Sequence, residues 1–309
     1  SSDGKWATFT YTPNEGEPTL HVKALDTDKT YSASLGTAGG GAGRAGGAGG
    51  RGGGGNAPQF SNDSRWIAYF VNPPDRTAGR GGRAGGAPPA GRGAAPAAVI
   101  PGHLELLNVA TGEKTVFPNA SSWKFAAGSK WLAVRLNKAQ ADAKHNGADL
   151  LVRDLSAGVN RLIGSVNQFE FDDAGSVLAY TVDASERLGN GVYLLNPATG
   201  DTRQLDAQSA DYDQLVWSAA GAQLAVLRGD KVKDMKQKSN MLLVWNRPGA
   251  SATAAMVFDP VKSSAFPAGM VLSEYTAPRF SKDGSKVFVG VKEQEPEIPA
   301  ADSTKANVD

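Results

Sequence analysis

The stretch Phe125-Ala126-Ala127-Gly128-Ser129-Lys130-Trp131-Leu132-Ala133-Val134 decides the fold of this chain. The aromatic residue Phe125 ends one apolar segment, and Gly128 and Ser129 supply a turn before a new apolar run begins at Trp131. This order is typical of a β-hairpin with a tight turn. Because the second run is apolar at successive positions, we expect its sheet to be covered on both faces.

The same pattern recurs six times along the chain. The copies lie at residues 2–9, 60–70, 125–134, 171–180, 217–226 and 280–289. A small residue in the middle of each apolar run is expected where neighbouring sheets approach closely. With Val289 as the exception in the last copy, this small-residue position is assigned to Ala7, Ala68, Ala133, Ala179 and Ala225.

The spacing of the turns gives the length of the repeat. The steps from residue 128 to 175 and from 175 to 221 are 47 and 46 residues, lengths typical of one propeller blade. The longer steps from 4 to 64 and from 64 to 128 contain the tracts 37–55 and 78–98. We interpret both tracts as disordered Gly/Ala/Arg-rich insertions, because they lack the apolar bulk that would offset the entropy of ordering.

A second hairpin unit lies between successive copies of the first. An Ala-Thr-Gly turn marks it at residues 110–112 and 198–200, and looser versions occupy 20–30, 150–162 and 241–257. Two hairpins per period give four strands. The sequence therefore predicts an all-β fold, a partial β-propeller of four-stranded antiparallel blades over residues 1–309. We expect about five complete blades and part of a sixth, from a parent of seven or eight blades.

The segments 191–200, 210–218 and 224–229 carry a family resemblance. Together with the repeat, they resemble the N-terminal propeller of bacterial serine peptidases of the prolyl oligopeptidase family, with repeats like those of TolB and dipeptidyl-peptidase propellers. The resemblance implies a propeller that gates and docks peptide substrates for an α/β-hydrolase domain downstream in the same polypeptide. It also favours a periplasmic or secreted location, although the absence of cysteine fits the cytoplasm equally well.

The chain itself contains no motif for acyl transfer. No Gly-x-Ser-x-Gly elbow occurs, so no catalytic, cofactor-binding or metal-binding residue is assigned, and the substrate-binding residues are not identified. The chain begins at Ser1 without a methionine and ends in polar residues after 293–299, so we expect a fragment of a longer enzyme. The alternative is a ligand- or protein-binding propeller of the TolB type without a catalytic domain.

Several polar residues were weighed as sites and given structural interpretations. For His21, His103 and His145, which lie far apart in sequence, we favour strand or loop surface over metal binding or catalysis. Turn chemistry is the favoured interpretation, over calcium binding, for the pairs Asp26 with Asp28 and Asp211 with Asp213. A solvated loop between strands is favoured, over a docking patch, for Lys231, Lys233, Asp234, Lys236 and Lys238.

Charge and composition argue against a nucleic-acid partner and against a membrane-spanning helix. The net charge is +1, and without the five arginines of the two glycine-rich tracts the remainder carries −4. RNA binding through Arg-Gly-Gly steps is a third alternative, but no aromatic residue is interleaved with those arginines to stack on bases. No apolar run approaches the roughly 18–20 residues of a membrane helix.

Overall fold

The computed structural model describes residues 1–36, 57–72, 102–141, 143–249 and 254–297. The expected insertions at 37–55 and 78–98 lie outside these residues. Apart from two single-turn 3₁₀ segments, Ser185–Arg187 and Pro260–Lys262, every regular element in the described ranges is a β-strand. No helix in this part of the chain is long and apolar enough to cross a membrane.

The strands of the N-terminal half form three sheets in which chain neighbours pair. The first sheet has three strands, β1 (Trp6–Tyr11), β2 (Thr19–Ala24) and β3 (Thr30–Ser34). The second has four strands, β4 (Gln59–Phe60), β5 (Trp66–Val71), β6 (His103–Asn108) and β7 (Lys114–Pro118). The third begins with β8 (Ala120–Phe125), β9 (Trp131–Leu136), β10 (Ala148–Asp154) and the start of β11 (Asn160–Phe171).

The remaining strands continue the same order. The end of β11 pairs with β12 (Leu178–Val182), which is followed by β13 (Gly191–Leu195) and β14 (Thr202–Ala207). The next sheet consists of β15 (Asp211–Trp217), β16 (Gln223–Lys231), β17 (Lys238–Asn246) and β18 (Met256–Phe258). Two small sheets pair β19 (Met270–Leu272) with β22 (Val291–Glu293) and β20 (Arg279–Phe280) with β21 (Val287–Phe288).

Repeated antiparallel four-stranded sheets, each in chain order, are the blades of a β-propeller. The predicted all-β fold class is therefore confirmed. Two sheets have four strands and the first has three. Strands β8 to β14 form one sheet of seven strands, in which the 12-residue strand β11 ends one blade and begins the next. The last two small sheets correspond to the predicted partial blade. The strands that follow the first-hairpin turns, β5, β9, β12 and β16, each take the second position in a blade, as the repeat predicts.

One backbone feature aligns the six first hairpins. Each turn contains a single residue in the left-handed region, and these residues are Gly4, Ser64, Ser129, Gly175, Gly221 and Gly284, with φ between 54° and 70°. In the third copy this residue is Ser129 and not Gly128, so the turn position assigned from sequence was one residue early. With that correction, the steps from 129 to 175 and from 175 to 221 are both 46 residues.

The small-residue position is thereby fixed at four residues after the left-handed residue. It is fully buried in the four complete blades, where it is occupied by Ala68, Ala133, Ala179 and Ala225. In the first and last hairpins the same position holds Thr8 and Phe288. The assignment of Ala7 and Val289 to this position was therefore wrong, because the turn geometry, and not the nearest small residue, sets the register.

The two serines at the left-handed position tie consecutive turns together. The backbone N–H of Asp3 donates to Ser64 Oγ over 3.1 Å, and that of Asp63 donates to Ser129 Oγ over 3.0 Å. Both serines are buried. Glycine would adopt this backbone with less strain, but it has no hydroxyl to accept the bond. In these two turns the hydrogen bond to the serine hydroxyl compensates for the less favourable backbone conformation.

Three of the second hairpins share an Asx turn. Asn108 Oδ1 accepts the backbone N–H groups of the residues two and three positions later, and Asn196 and Asp154 do the same in their own hairpins. Each turn then closes on a left-handed glycine, which is Gly112, Gly158 or Gly200. The repeated Ala-Thr-Gly signal was therefore interpreted correctly as a hairpin turn.

The chain divides into two compact units, the first holding β1 to β10 and the start of β11, the second holding the strands that follow. In the first unit a core cluster forms around Trp123, Leu104 and Leu132. In the second unit a corresponding cluster forms around Trp245, Tyr212 and Leu224. Both tryptophans are fully buried. Each unit therefore has a core of its own.

Candidate functional site

A cluster of five paired charged side chains lies at the ends of strands and in one loop of the second unit. Its centre is Lys238, the first residue of β17, whose Nζ lies 2.9 Å from Asp211 Oδ2 and 2.7 Å from Asp213 Oδ2. The Lys238 side chain is only 17% exposed. Asp211 and Asp213 share one face of β15 because strand side chains alternate. We call Arg187, Asp211, Asp213, Asp230 and Lys238 the Lys238 cluster.

A second cation, Arg187, completes the charge pairing. Its Nη2 lies 3.2 Å from Asp211 Oδ1, and its Nη1 lies 2.6 Å from Asp230 Oδ1. The same Nη1 donates to the carbonyl of Ser209 over 2.9 Å. Asp211 thus lies between two cations, one on each oxygen. The cluster contains two positive and three negative groups.

The electrostatics keep both cations charged. Burial alone would lower the pKa of Lys238, but the charge and hydrogen bond of Asp213 and the hydrogen bond of Asp211 outweigh it, so the pKa is raised. Burial also acts to lower the pKa of Arg187, and the hydrogen bond to Asp230 with the charge of Asp211 raises it overall. Neither group can serve as a proton donor or acceptor near neutral pH.

A β-bulge positions the carboxylates. The pairing of β15 with β16 shifts register between Asp213 and Val216, and Gln214 within the bulge adopts a left-handed φ of 61°. The freed backbone N–H of Leu215 donates to Gln168 Oε1 over 2.8 Å. Asn167 Nδ2 donates to the remaining oxygen of Asp213 over 3.2 Å. β11 and β15 are therefore joined by polar side chains at the bulge.

The loop between β12 and β13 is held by the same cluster. Glu186 and Arg187 have consecutive left-handed φ angles of 56° and 55°, a conformation that costs energy for non-glycine residues. Buried Asn190 braces the loop, accepting the N–H of Ala184 over 2.8 Å and donating to the carbonyl of Ala210 over 2.9 Å. Leu188, at the tip, is 75% exposed. These hydrogen bonds therefore hold the exposed loop in one conformation.

The arrangement of the cluster is suited to positioning and not to metal binding. The oxygens of Asp211 and Asp213 already accept contacts from Lys238, Arg187 and Asn167, so a cation would have to displace them. No three His, Asp or Glu side chains form a group that could hold a metal ion within the part of the chain that the structure describes.

The structure corrects two interpretations of this region. Asp211 and Asp213 lie in strand β15 and form ion pairs, so turn chemistry does not account for them. The lysine-rich segment is a hairpin whose tip contacts residues 295–296. Lys236 Nζ lies 3.0 Å from Glu295 Oε2, and Met235 forms an isolated antiparallel β-bridge with Pro296. Only part of this segment is therefore a solvated loop. The available signal was the alternation of Asp211 with Asp213 in one strand, together with the lysine that begins a later apolar strand.

The histidines occupy three separate elements. His21 in β2 stacks on Phe9 with ring centroids 4.9 Å apart, and His145 lies in the connection between β9 and β10. His103 opens β6, and its Nε2 lies 3.5 Å from Glu105 Oε1. Their placement agrees with the predicted strand and loop positions.

Sequence reasoning missed a cluster around Glu105 in the first unit. Tyr69 donates its hydroxyl to Glu105 Oε2 over 2.6 Å, and Lys114 Nζ lies 3.0 Å from the same oxygen. Burial acts to raise the pKa of Glu105, but the hydrogen bonds of Tyr69 and Lys114 lower it overall. Burial and the Glu105 carboxylate together raise the pKa of Tyr69. Tyr69, Glu105 and Lys114 lie on three adjacent strands, β5, β6 and β7, so the cluster fastens one blade internally.

Comparisons with known proteins show similarity of fold only. No protein-family model matches the sequence, and no curated protein matches it. The β-propeller domain of the Trilobed protease from Pyrococcus furiosus aligns with 95% of this chain and 81% of its own, at 10% identity and a TM-score of 0.42. TolB from Acinetobacter baumannii aligns with 82% of this chain and 54% of its own, at 12% identity and a TM-score of 0.33.

A structure from a study of two prolyl endopeptidases aligns with 94% of this chain and 38% of its own, at 12% identity and a TM-score of 0.45. The chain thus spans about half of that TolB and less than half of that endopeptidase. The propeller assignment for this chain stands on its own repeated sheets.

Proposed function

We propose that this propeller is the substrate-gating and docking module of a serine oligopeptidase whose α/β-hydrolase domain lies downstream in the same polypeptide. Its partners are that hydrolase domain and peptide substrates. The proposal is supported by the family resemblance of segments 191–200, 210–218 and 224–229. The structural observation that carries it is the Lys238 cluster, which holds the starts of β15 and β17 and the loop 184–189 together.

A gating surface requires loops with a defined shape, because flexible loops lose entropy when a peptide or domain docks on them. The loop 184–189 meets this requirement, since Arg187 and Asn190 hold it in a strained conformation through several hydrogen bonds. Strain of this kind is retained when the surrounding structure enforces it, and it concentrates at functional surfaces. The exposed tip residue Leu188 offers an apolar contact to whatever docks there.

The test is labelling with a serine-reactive fluorophosphonate. The complete polypeptide from its source should take up one label per chain, at a site C-terminal to residue 309, whereas residues 1–309 alone should remain unlabelled. Heat-denatured polypeptide serves as the control, because acyl transfer chemistry needs an assembled nucleophile, base and oxyanion donors.

A complete polypeptide that carries no hydrolase domain would overturn the proposal in favour of the TolB-type binding propeller. Stoichiometric label within residues 1–309 would instead indicate an enzyme site in the propeller itself.

If the hydrolase is present, Arg187→Ala in the complete enzyme tests the gating role. Releasing the loop should change the ratio of kcat/KM for long and short peptides while leaving kcat for a dipeptide-sized substrate unchanged. An equal change for all substrates would argue against gating by this loop.

A further inference from the structure

Three segments of the second unit meet at one buried acidic residue, Asp183, which directly follows β12 and is only 8% exposed. Its backbone N–H donates to the carbonyl of Ser165 in β11 over 2.9 Å, and its own carbonyl accepts the N–H of Gly147 over 3.1 Å. Gly147 ends the described segment 143–147 of the connection between β9 and β10, and this segment belongs to the second unit. Asp183 thus lies between that segment and the loop 184–189.

The carboxylate of Asp183 lies between two hydrogen-bond donors. The backbone N–H of Asn146 donates to Asp183 Oδ2 over 2.6 Å, and Asn190 Nδ2 donates to Asp183 Oδ1 over 3.5 Å. Asn190 is the residue that braces the loop 184–189. Because an ionised carboxylate accepts on both oxygens, it satisfies both donors at once. Asp183 therefore connects the segment 143–147 to the brace of the loop.

The contact at Gly147 leaves no room for a side chain. A Cβ atom at Gly147 would lie only 2.5 Å from the carbonyl oxygen of Ser165, and closer still to that of Asp183. Both obstacles are backbone atoms, which cannot turn aside as the end of a flexible side chain can. Gly147 does not have a left-handed φ, so space alone accounts for glycine at this position. The segment 143–147 is therefore packed tightly against the base of the loop.

We propose that residues 143–147 act as a strut which, through Asp183, holds the loop 184–189 in its strained conformation. The consecutive left-handed φ angles of Glu186 and Arg187 persist only while their surroundings enforce them. Arg187 fastens the loop to the Lys238 cluster, and Asp183 fastens its base to the strut. The strut is thus a place where the order of the loop can be changed without touching the loop. Any effect on peptide gating rests on the proposed function, whereas control of the loop requires no hydrolase.

Amide hydrogen exchange of residues 1–309 tests the strut. The backbone N–H groups of Arg187, Leu188 and Asn190 donate to carbonyls of residues 184–187, so their protection reports the order of the loop. Gly147→Ala and Asp183→Asn should each speed exchange of these amides at least about tenfold, the second because asparagine must turn a donor toward one of the two donors. The amides of β16, in the core of the same unit, should keep their rates.

Gly249→Ala is the matched control, because a Cβ atom there meets nothing within 4 Å, and it should leave the loop unchanged. Unchanged loop exchange in Asp183→Asn, or equal acceleration in β16, would overturn the proposal. Asp183→Asn decides alone if Gly147→Ala does not fold. In a complete enzyme with a hydrolase, both variants should also change the ratio of kcat/KM for long and short peptides. Faster loop exchange without that change would leave the strut standing and count against gating by the loop alone.

Discussion

Replacing Lys238 by methionine tests whether the Lys238 cluster stabilises the second unit. Methionine keeps most of the aliphatic stem but leaves Asp211 and Asp213 without their shared cation. Removing one partner of a fully buried ion pair costs about 3–5 kcal/mol, because a charge is left uncompensated. Here Arg187 still faces Asp211, and the carboxylates are about one-fifth exposed, so we expect a loss of about 2–3 kcal/mol.

The assay is urea unfolding followed by tryptophan fluorescence, since Trp245 lies in the core of the same unit. Lys236→Met is the matched control: its pair with Glu295 is 43% exposed on both sides, and such pairs contribute about 0–1 kcal/mol. Adding Asp213→Asn to Lys238→Met should recover about 1–2 kcal/mol, because the stranded charge is removed.

A loss below about 0.5 kcal/mol, or strictly additive effects of the two changes, would refute the account of a coupled cluster. The pH dependence offers an independent check. Because the pKa of Lys238 is raised on folding, its contribution is present below the pKa of an unfolded lysine and is lost as pH rises through the folded value. Alkaline destabilisation should therefore be smaller in Lys238→Met than in the original protein.

Two further predictions concern the first unit. Ser64→Ala should lower the free energy of unfolding by about 1–2 kcal/mol, since the N–H of Asp3 loses its acceptor and the left-handed backbone remains strained. Ser64→Gly should be nearly neutral, because relief of strain offsets the lost hydrogen bond. Equal losses in the two variants, measured by urea unfolding, would show that strain plays no part. Glu105→Gln should reduce the fall in the urea midpoint of unfolding that occurs as pH drops below the ordinary carboxyl pKa of 4.5. The reason is that the lowered pKa of Glu105 in the folded state stabilises the protein above pH 4.5, and this stability is lost on acidification. An unchanged acid profile would contradict the prediction.

The sequence predicted the blades well because two signals coincide in each repeat. Turn residues mark both hairpins, and the apolar runs between them have the length of strands. The Ala-Thr-Gly turns at 110–112 and 198–200 both fold as Asx turns closed by a left-handed glycine. Local chemistry of this kind acts over a few residues, so it is readable without the rest of the chain.

Register within the turns was harder to predict. Gly128 is the residue that propensity favours for a left-handed position, yet Ser129 occupies it. The serine is selected by a bond to Asp63, which lies 66 residues away in sequence. A long-range contact thus overrides the local preference. In the first hairpin the turn residue Gly4 was assigned correctly, but the nearest small residue, Ala7, was chosen in place of Thr8, which lies four residues after Gly4.

The Lys238 cluster could be predicted only in part for a related reason. The alternation of Asp211 and Asp213 shows that both side chains leave β15 on one face, and a lysine begins β17. That the three groups meet depends on the bulge at Gln214, which re-aims the start of the strand. The bulge has no glycine and is supported by Gln168 and Asn167 from β11. Nothing local to 211–217 reveals it.

Strand β1 shows that burial in this fold depends on a strand's neighbours as well as on its own sequence. Trp6–Tyr11 and Trp66–Val71 have similar apolar patterns and both begin with tryptophan two residues after the left-handed turn residue. β5 lies between two strands and is largely buried, whereas β1 has one neighbour and leaves Phe9 and Tyr11 exposed. Within the described residues, Phe9 and Tyr11 are therefore an exception to the expectation that each copy is covered on both faces.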